Sequence, residues 1–334
     1  MLIIFDTNVW ISDLALASAA GSAVRFYLRE QKARICLPEV VRLETEVNLR
    51  QSLTEHIGKI RSSHSQLLAV FGQLKEVVLP TQEDVESLIS GVFSKVGVEI
   101  EEVPFTLDNA RASLMRTVHK IVPSDKNQQF KDGVLWENCV KSLEKDSVSL
   151  VTNDTAFYQE RKYDLGLAKQ LRNEIHDTVH QFHIFPSLAQ LLSQIKTEFQ
   201  INSTAFFDAF MSQRGTELAA LATERSFALE GQHNVNIDAF VTENPAVLFF
   251  NFKIEIPCSD ASNEGRTDTR IIINGHGTYH TDARNFSDLA VREEKLVYRS
   301  KEGDEKKIRS VYAAIGGVVL GHRMVEYSVR YPLS

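Results

Sequence analysis

Four acids stand where apolar stretches give way to helices or turns: Asp6 in "LIIFDTNVW", Glu44 in "LPEVVRLETE", Asp132 in "KDGVLWENCV" and Asp154 in "LVTNDTAFY". They come from separate parts of the chain. If they converge on one mouth, their charges repel unless a cation joins them, and an all-oxygen donor set suits Mg²⁺ or Mn²⁺ with several retained waters. A plainer reading stands beside this one, because Asp and Asn after a strand are common turn and helix-cap residues. Asp6 resists it best: its strand is apolar, and "TNVW" continues directly into a helix. Glu44 has a neighbour, Glu46, that competes for its role, and a solvated helix face accounts for either.

The elements that must position these acids show in the apolar patterning. "LIIF", "ARICLP" ending at Pro38, "SVSLVT" ending at Thr152 and "QFHIF" ending at Phe185 lack alternation, as parallel strands covered on both faces do. Helical patterns lie between them. The longest starts at Pro38, carries Val40, Leu43, Val47, Ile57, Ile60, Leu67, Phe71 and Leu74 at helical steps, and is expected to break, if anywhere, at Arg61 to Ser65. Further helices fit "EDVESLISGVFSKV", "LDNARASLMRTVHKIV", "KDGVLWENCVKSLEK" and "PSLAQLLSQIKTEF". Strands alternating with helices imply a doubly wound α/β sheet, in which ligands gather at the carboxyl ends of the strands. After about residue 200, one or two amphipathic helices precede the strand-like runs "AVLFFNFKIEIPCS", "DTRIIINGHGTYHTD", "KLVYRS" and "RSVYAAIGGVVL". The expected organisation is an α/β domain over 1–198 and an α+β domain with an antiparallel sheet over 199–334.

In order and content, the four acid-bearing segments resemble the signature segments of PIN-domain nucleases, particularly an extended bacterial branch with long helical insertions. The resemblance covers roughly residues 1–195. It implies metal binding by Asp6, Glu44, Asp132 and Asp154, with Thr7, Asn8 and Asn153 supporting the site. It also implies a metal-dependent endonuclease, with RNA the expected substrate and a toxin or defence role common among such enzymes. A carboxylate-bound ion lowers the pKa of a water, aligns it with a phosphodiester and neutralises the phosphoryl charge, so no nucleophilic side chain is required. Glu137, five positions from Asp132, points about 140° away on a helix and is expected to act from behind the ligands.

A polyanionic substrate needs cations around the acids. Arg111, Arg116, His119, Lys120, Lys126 and Lys131 precede or adjoin Asp132; Arg161, Lys162, Lys169 and Arg172 follow Asp154. As a group they are expected to grip phosphates, although a solvated face explains any single one. "HDTVH", residues His176 to His180, places two histidines at helical i,i+4 spacing but lacks the Glu of zinc hydrolases. "NGHGTYH" has two glycines and no helix after it, unlike a phosphate-cradling loop.

Two rival functions fit parts of the pattern. A haloacid-dehalogenase-like phosphatase also opens on a strand-end Asp, but wants a second Asp two residues on, where this chain has Asn8. A binding module for nucleic acid or protein could keep the fold without the reaction; the presence of all four acids speaks against it. The net charge of -7 argues against an indiscriminate nucleic-acid coat. Three scattered cysteines match no metal or redox spacing, and the run "YAAIGGVVLG" is about half the ~20 residues a bilayer span needs. A cytoplasmic protein without membrane contact is expected. The last part carries no interpretable motif, and a regulatory partner or self-association through it is the remaining expectation.

Overall fold

Five short strands whose side chains are mostly apolar form a parallel sheet at the start of the chain. They are β1 (Leu2–Phe5), β2 (Arg34–Pro38), β3 (Ile100–Val103), β4 (Val148–Val151) and β5 (Phe182–Phe185), in the order β3-β2-β1-β4-β5. Every residue of β1 and β4 is buried, as strands covered on both faces require. Strand order reverses at β1, which pairs with β2 on one side and β4 on the other. The carboxyl ends of β1 and β4 therefore flank the crevice in which doubly wound sheets place ligands. The edge strand β3 has no counterpart among the apolar runs; "IEEV" is too acidic to read as a covered strand, and only one of its edges is paired.

The structure is a computed structural model describing residues 1–193, 200–231, 233–262, 264–315 and 318–329. The chain divides into two compact units, Met1–Gln194 and Ile195–Ser334. The expected boundary at 198 falls among residues 194–199, outside the described residues, as does the end of the helix expected from "PSLAQLLSQIKTEF".

In the first unit, α1 (Thr7–Ser12) follows β1 at once, and α2 (Ala19–Glu30), capped by the Ser18 hydroxyl, leads to β2. The long helix α3 (Glu39–Phe71) is continuous, with no break at 61–65. Its buried residues are Val41, Thr45 and Leu49, whereas Leu43, Val47, Ile60, Leu67 and Phe71 are exposed. The expected apolar face is thus not the core face: steps of four from Val41 set the contact, and the helix runs on past the residues it packs against. Then come α4 (Gln82–Ser90), α5 (Leu107–His119), α6 (Phe130–Leu143), α7 (Lys169–Glu174) and α8 (Leu188–Leu192). His176–His180 follows α7 as a turn, so its two histidines lack helical spacing, and exposed His176 contacts Asp177 instead.

The second unit opens with α9 (Ser203–Glu224) and continues as antiparallel strands β6 (Phe227–Leu229), β7 (Asn234–Val241), β8 (Val247–Asp260), β9 (Thr267–His280), β10 (Asn285–Arg299), β11 (Glu305–Ile315) and β12 (Val318–Val329). Their order is β12-β11-β10-β9-β8-β6, with β7 also on β8. "RSVYAAIGGVVL", expected as one strand, contributes to the paired strands β11 and β12. Phe206 and Phe210 of α9 pack on Phe250, Phe252, Ile271 and Ile273 of the sheet. The glycines of "NGHGTYH" serve this packing: a Cβ on Gly275 would lie 2.4 Å from the Phe252 ring, and one on Gly277 2.8 Å from the Phe250 ring. No helix among the described residues is long and apolar enough to cross a membrane.

Candidate functional site

The crevice at β1 and β4 is a cleft of about 350 Å³ lined by Asp6, Glu44, Asp132 and Asp154 together with Thr7, Asn8 and residues 128–131. Asp6 ends β1, donates its N–H to the Val151 carbonyl, and caps α1. Its Oδ1 accepts the Thr7 N–H at 2.7 Å and its Oδ2 accepts the Thr152 hydroxyl at 2.6 Å. Burial raises its pKa above the ordinary carboxylate value. The two hydrogen bonds oppose that rise, and the fields of Asp154 and Glu44 add to it.

Asp154 follows β4 and caps a short 3₁₀ turn, accepting the Ala156 N–H at 2.7 Å and the Gln129 amide at 2.9 Å. The Thr152 hydroxyl also accepts the Asp154 N–H at 3.0 Å, so one threonine ties both strand-end acids together. Asp132 lies in the first turn of α6. Burial, then the charges of Asp154 and Asp6, push it up to about 8, and its carboxyl shares a hydrogen bond with Asp154. Burial among these acids therefore disfavours the charged form of the Asp132 carboxyl. Glu44, two turns into α3, accepts the Thr7 hydroxyl at 2.9 Å and the Lys131 ammonium. Glu46 does not line the cleft; it pairs with Arg42 at 2.9 Å.

The structure distributes the other expected site residues widely. Thr7 and Asn8 line the cleft, while Asn153 is exposed and does not line it; its backbone carbonyl accepts the Tyr163 hydroxyl at 2.7 Å. Glu137 accepts from Arg116 at 2.7 Å and is not among the residues that line the cleft. Arg116 itself is 11% exposed, held by Glu137, Glu174 and the Val122 carbonyl, so it braces α5 and α6 and is removed from the phosphate-gripping set. Arg172 donates to the Leu167 carbonyl at 2.9 Å. Arg111 and Lys120 are exposed on α5 and at its end, outside the cleft. Lys126 and Lys169 line a neighbouring cleft, and Lys131 sits on Glu44. Thr152 and Gln129 had no sequence signal beyond their places beside the acid segments.

Among the described residues, no three His, Cys, Asp or Glu side chains stand in position to hold a metal ion. Within the cleft, Lys131, Gln129 and the bond shared by Asp132 and Asp154 take up carboxylate oxygens. The donor chemistry nonetheless fits a hard divalent cation: four carboxylates share one cleft, and two of them have raised pKa values because of burial and mutual repulsion. No cysteine is among the residues that line the cleft. Cys36, Cys139 and Cys258 are all buried, and burial pushes the thiols of Cys36 and Cys258 up to about 11 and that of Cys139 well above its usual value.

Residues 3–157 match a family model described as PIN domain, a span that runs from β1 through the turn capped by Asp154 and includes all four acids. No curated protein and no solved structure matches the chain. PIN domains are generally nucleases acting on nucleic acids, and they typically use divalent metal ions.

Proposed function

We propose, on the premise of the match of residues 3–157 to the PIN-domain model, that the chain is a metal-dependent endonuclease that hydrolyses phosphodiester bonds in RNA with Mg²⁺ or Mn²⁺. The observation that carries this reading is the meeting of Asp6, Glu44, Asp132 and Asp154 in one cleft although they come from four separate segments. These four would hold the ion. When bound, it supplies Lewis acidity and a water of lowered pKa.

The chain's own groups prepare the site. Thr7 and Thr152 fix both oxygens of Asp6, so its carboxylate direction is set by the end of β1. Ala156 and Gln129 orient Asp154 in the same way. Burial and the neighbouring acids raise the pKa of Asp132, and the Lys131 ammonium meets the charge of Glu44; both carboxyls would be ligands of the ion.

The test is Asp6→Asn, assayed on single-stranded RNA and DNA with Mg²⁺ and Mn²⁺ in parallel. Asn keeps the size and removes the charge, so cleavage should fall by orders of magnitude while circular dichroism stays that of the parent. Chelation should abolish wild-type cleavage. Retained cleavage by a folded variant would overturn the mechanism; cleavage of DNA alone would overturn only the choice of RNA.

A further inference from the structure

A second cleft, of about 540 Å³, opens between residues 122–126 and the loop 156–170. Ala156 lines it, and the Ala156 N–H donates to the Asp154 carboxylate, so the two clefts meet at one short turn. Its wall is held in a costly shape. Glu160 and Arg161 both adopt left-handed backbone, at φ 52 and 58, a conformation that non-glycine residues keep only when their surroundings enforce it. Arg161 provides part of that enforcement through its ion pair to Asp125 at 2.8 Å, which ties one side of the cleft to the other. Gln159 adds more, its side-chain Oε1 accepting the Lys169 backbone N–H at 2.8 Å.

Charge in this cleft is unevenly satisfied. The acids that line it are engaged, Asp125 by Arg161 and Glu160 by Lys162. Lys126 and Lys169 line the same space, and among the described residues neither is paired with a carboxylate. Two unpaired cations in a polar cleft beside an acidic centre suit a phosphate one step along a polynucleotide from the bond being cut. The volume lies within the roughly 300–1,000 Å³ of sites that enclose small ligands, which accommodates a nucleotide and not a duplex.

We propose that this cleft receives the nucleotide adjoining the scissile phosphodiester of a single-stranded polynucleotide, with Lys126 and Lys169 on its phosphate. The assignment rests on the nuclease reading and adds the substrate's form and path. Binding by the full chain is measured in chelator, by fluorescence anisotropy of labelled RNA and DNA single strands of one sequence and of the matching duplex, over a range of salt. The double variant Lys126→Gln and Lys169→Gln should bind single strands about tenfold more weakly, with the slope of log affinity on log salt reduced by about 1. Both positions are exposed, and an unchanged melting temperature checks that the fold is kept.

Unchanged affinity and slope in the variant, with a parent that binds, would overturn the subsite and leave the nuclease reading standing. A duplex bound as tightly as the single strand would overturn the single-strand assignment. A parent that neither binds nor, with metal, cuts either strand would overturn both readings. Between the RNA and DNA arms, the tighter one identifies the polynucleotide taken.

Discussion

A carboxylate at the end of a fully buried strand is unfavourable unless hydrogen-bond donors or a cation meet it, and Asp6 has two donors and three acidic neighbours. Asp132 carries the clearest consequence. Unfolded, it titrates near its ordinary value of 3.8; folded, near 8. Between those values the folded state keeps a proton that the unfolded state has released. Stability therefore falls as pH rises through this window, and the penalty is complete above about 8. In chelator, thermal unfolding should show this loss from about pH 5 to pH 8, with Asp132→Asn flatter and more stable at the alkaline end by on the order of a few kcal/mol. Added Mg²⁺ or Mn²⁺ should restore the wild type there. A flat wild-type profile would mean that the acids do not repel as their placement implies. Asp6 and Asp154, just after strands, and Asp132, in a first helical turn, stand at element boundaries that the sequence marks, whereas Glu44, past the first turn of α3, does not. The acids' partners were not legible: Lys131 on Glu44, Gln129 on Asp154 and the burial of Arg116 between two glutamates depend on contacts between distant segments.

At the scale of elements, Asp132 is only as well placed as α6, and α6 is set by its closeness to α5. A Cβ on Gly133 would lie 2.3 Å from the Ser113 hydroxyl oxygen and 3.0 Å from its Cβ. That same hydroxyl donates to the Phe130 carbonyl at 2.5 Å, pinning the first residue of α6. Gly133→Ala should therefore cost about 1–3 kcal/mol through overpacking and weaken divalent binding by displacing Asp132. Denaturant unfolding and calorimetric titration read the two effects separately; a variant unchanged in both would show that the helices can part without moving the acid. The strands of the first unit were legible where both faces are covered, as in β1 and β4, and failed at β3, whose four residues include Glu101 and Glu102 on a sheet edge. The period of α3 misled for a related reason. Apolar residues recur along its length, but burial is confined to Val41, Thr45 and Leu49, so periodicity there does not report contact.

At the scale of the whole molecule, the change from covered parallel strands to long antiparallel ones marks two units, and each buries aromatic residues of its own. Phe5, Trp10, Trp136 and Phe157 are fully buried in the first; Phe206, Phe210 and Phe250 are fully buried in the second. The four acids and both clefts belong to the first unit alone. A fragment of residues 1–193 should consequently fold by itself, since the apolar surface that stabilises it is internal to it. It should also keep the divalent affinity of the full chain and the pH-dependent loss of stability assigned to Asp132, because every group that raises that carboxyl lies before residue 193. Cooperative thermal unfolding with a divalent-induced rise in melting temperature is the expected result, and unfolding of the full chain should not reduce to one two-state transition. If the fragment aggregates while the full chain stays folded, the second unit contributes to the first unit's core. A fragment that folds but loses divalent affinity would instead place part of the binding energy after residue 193.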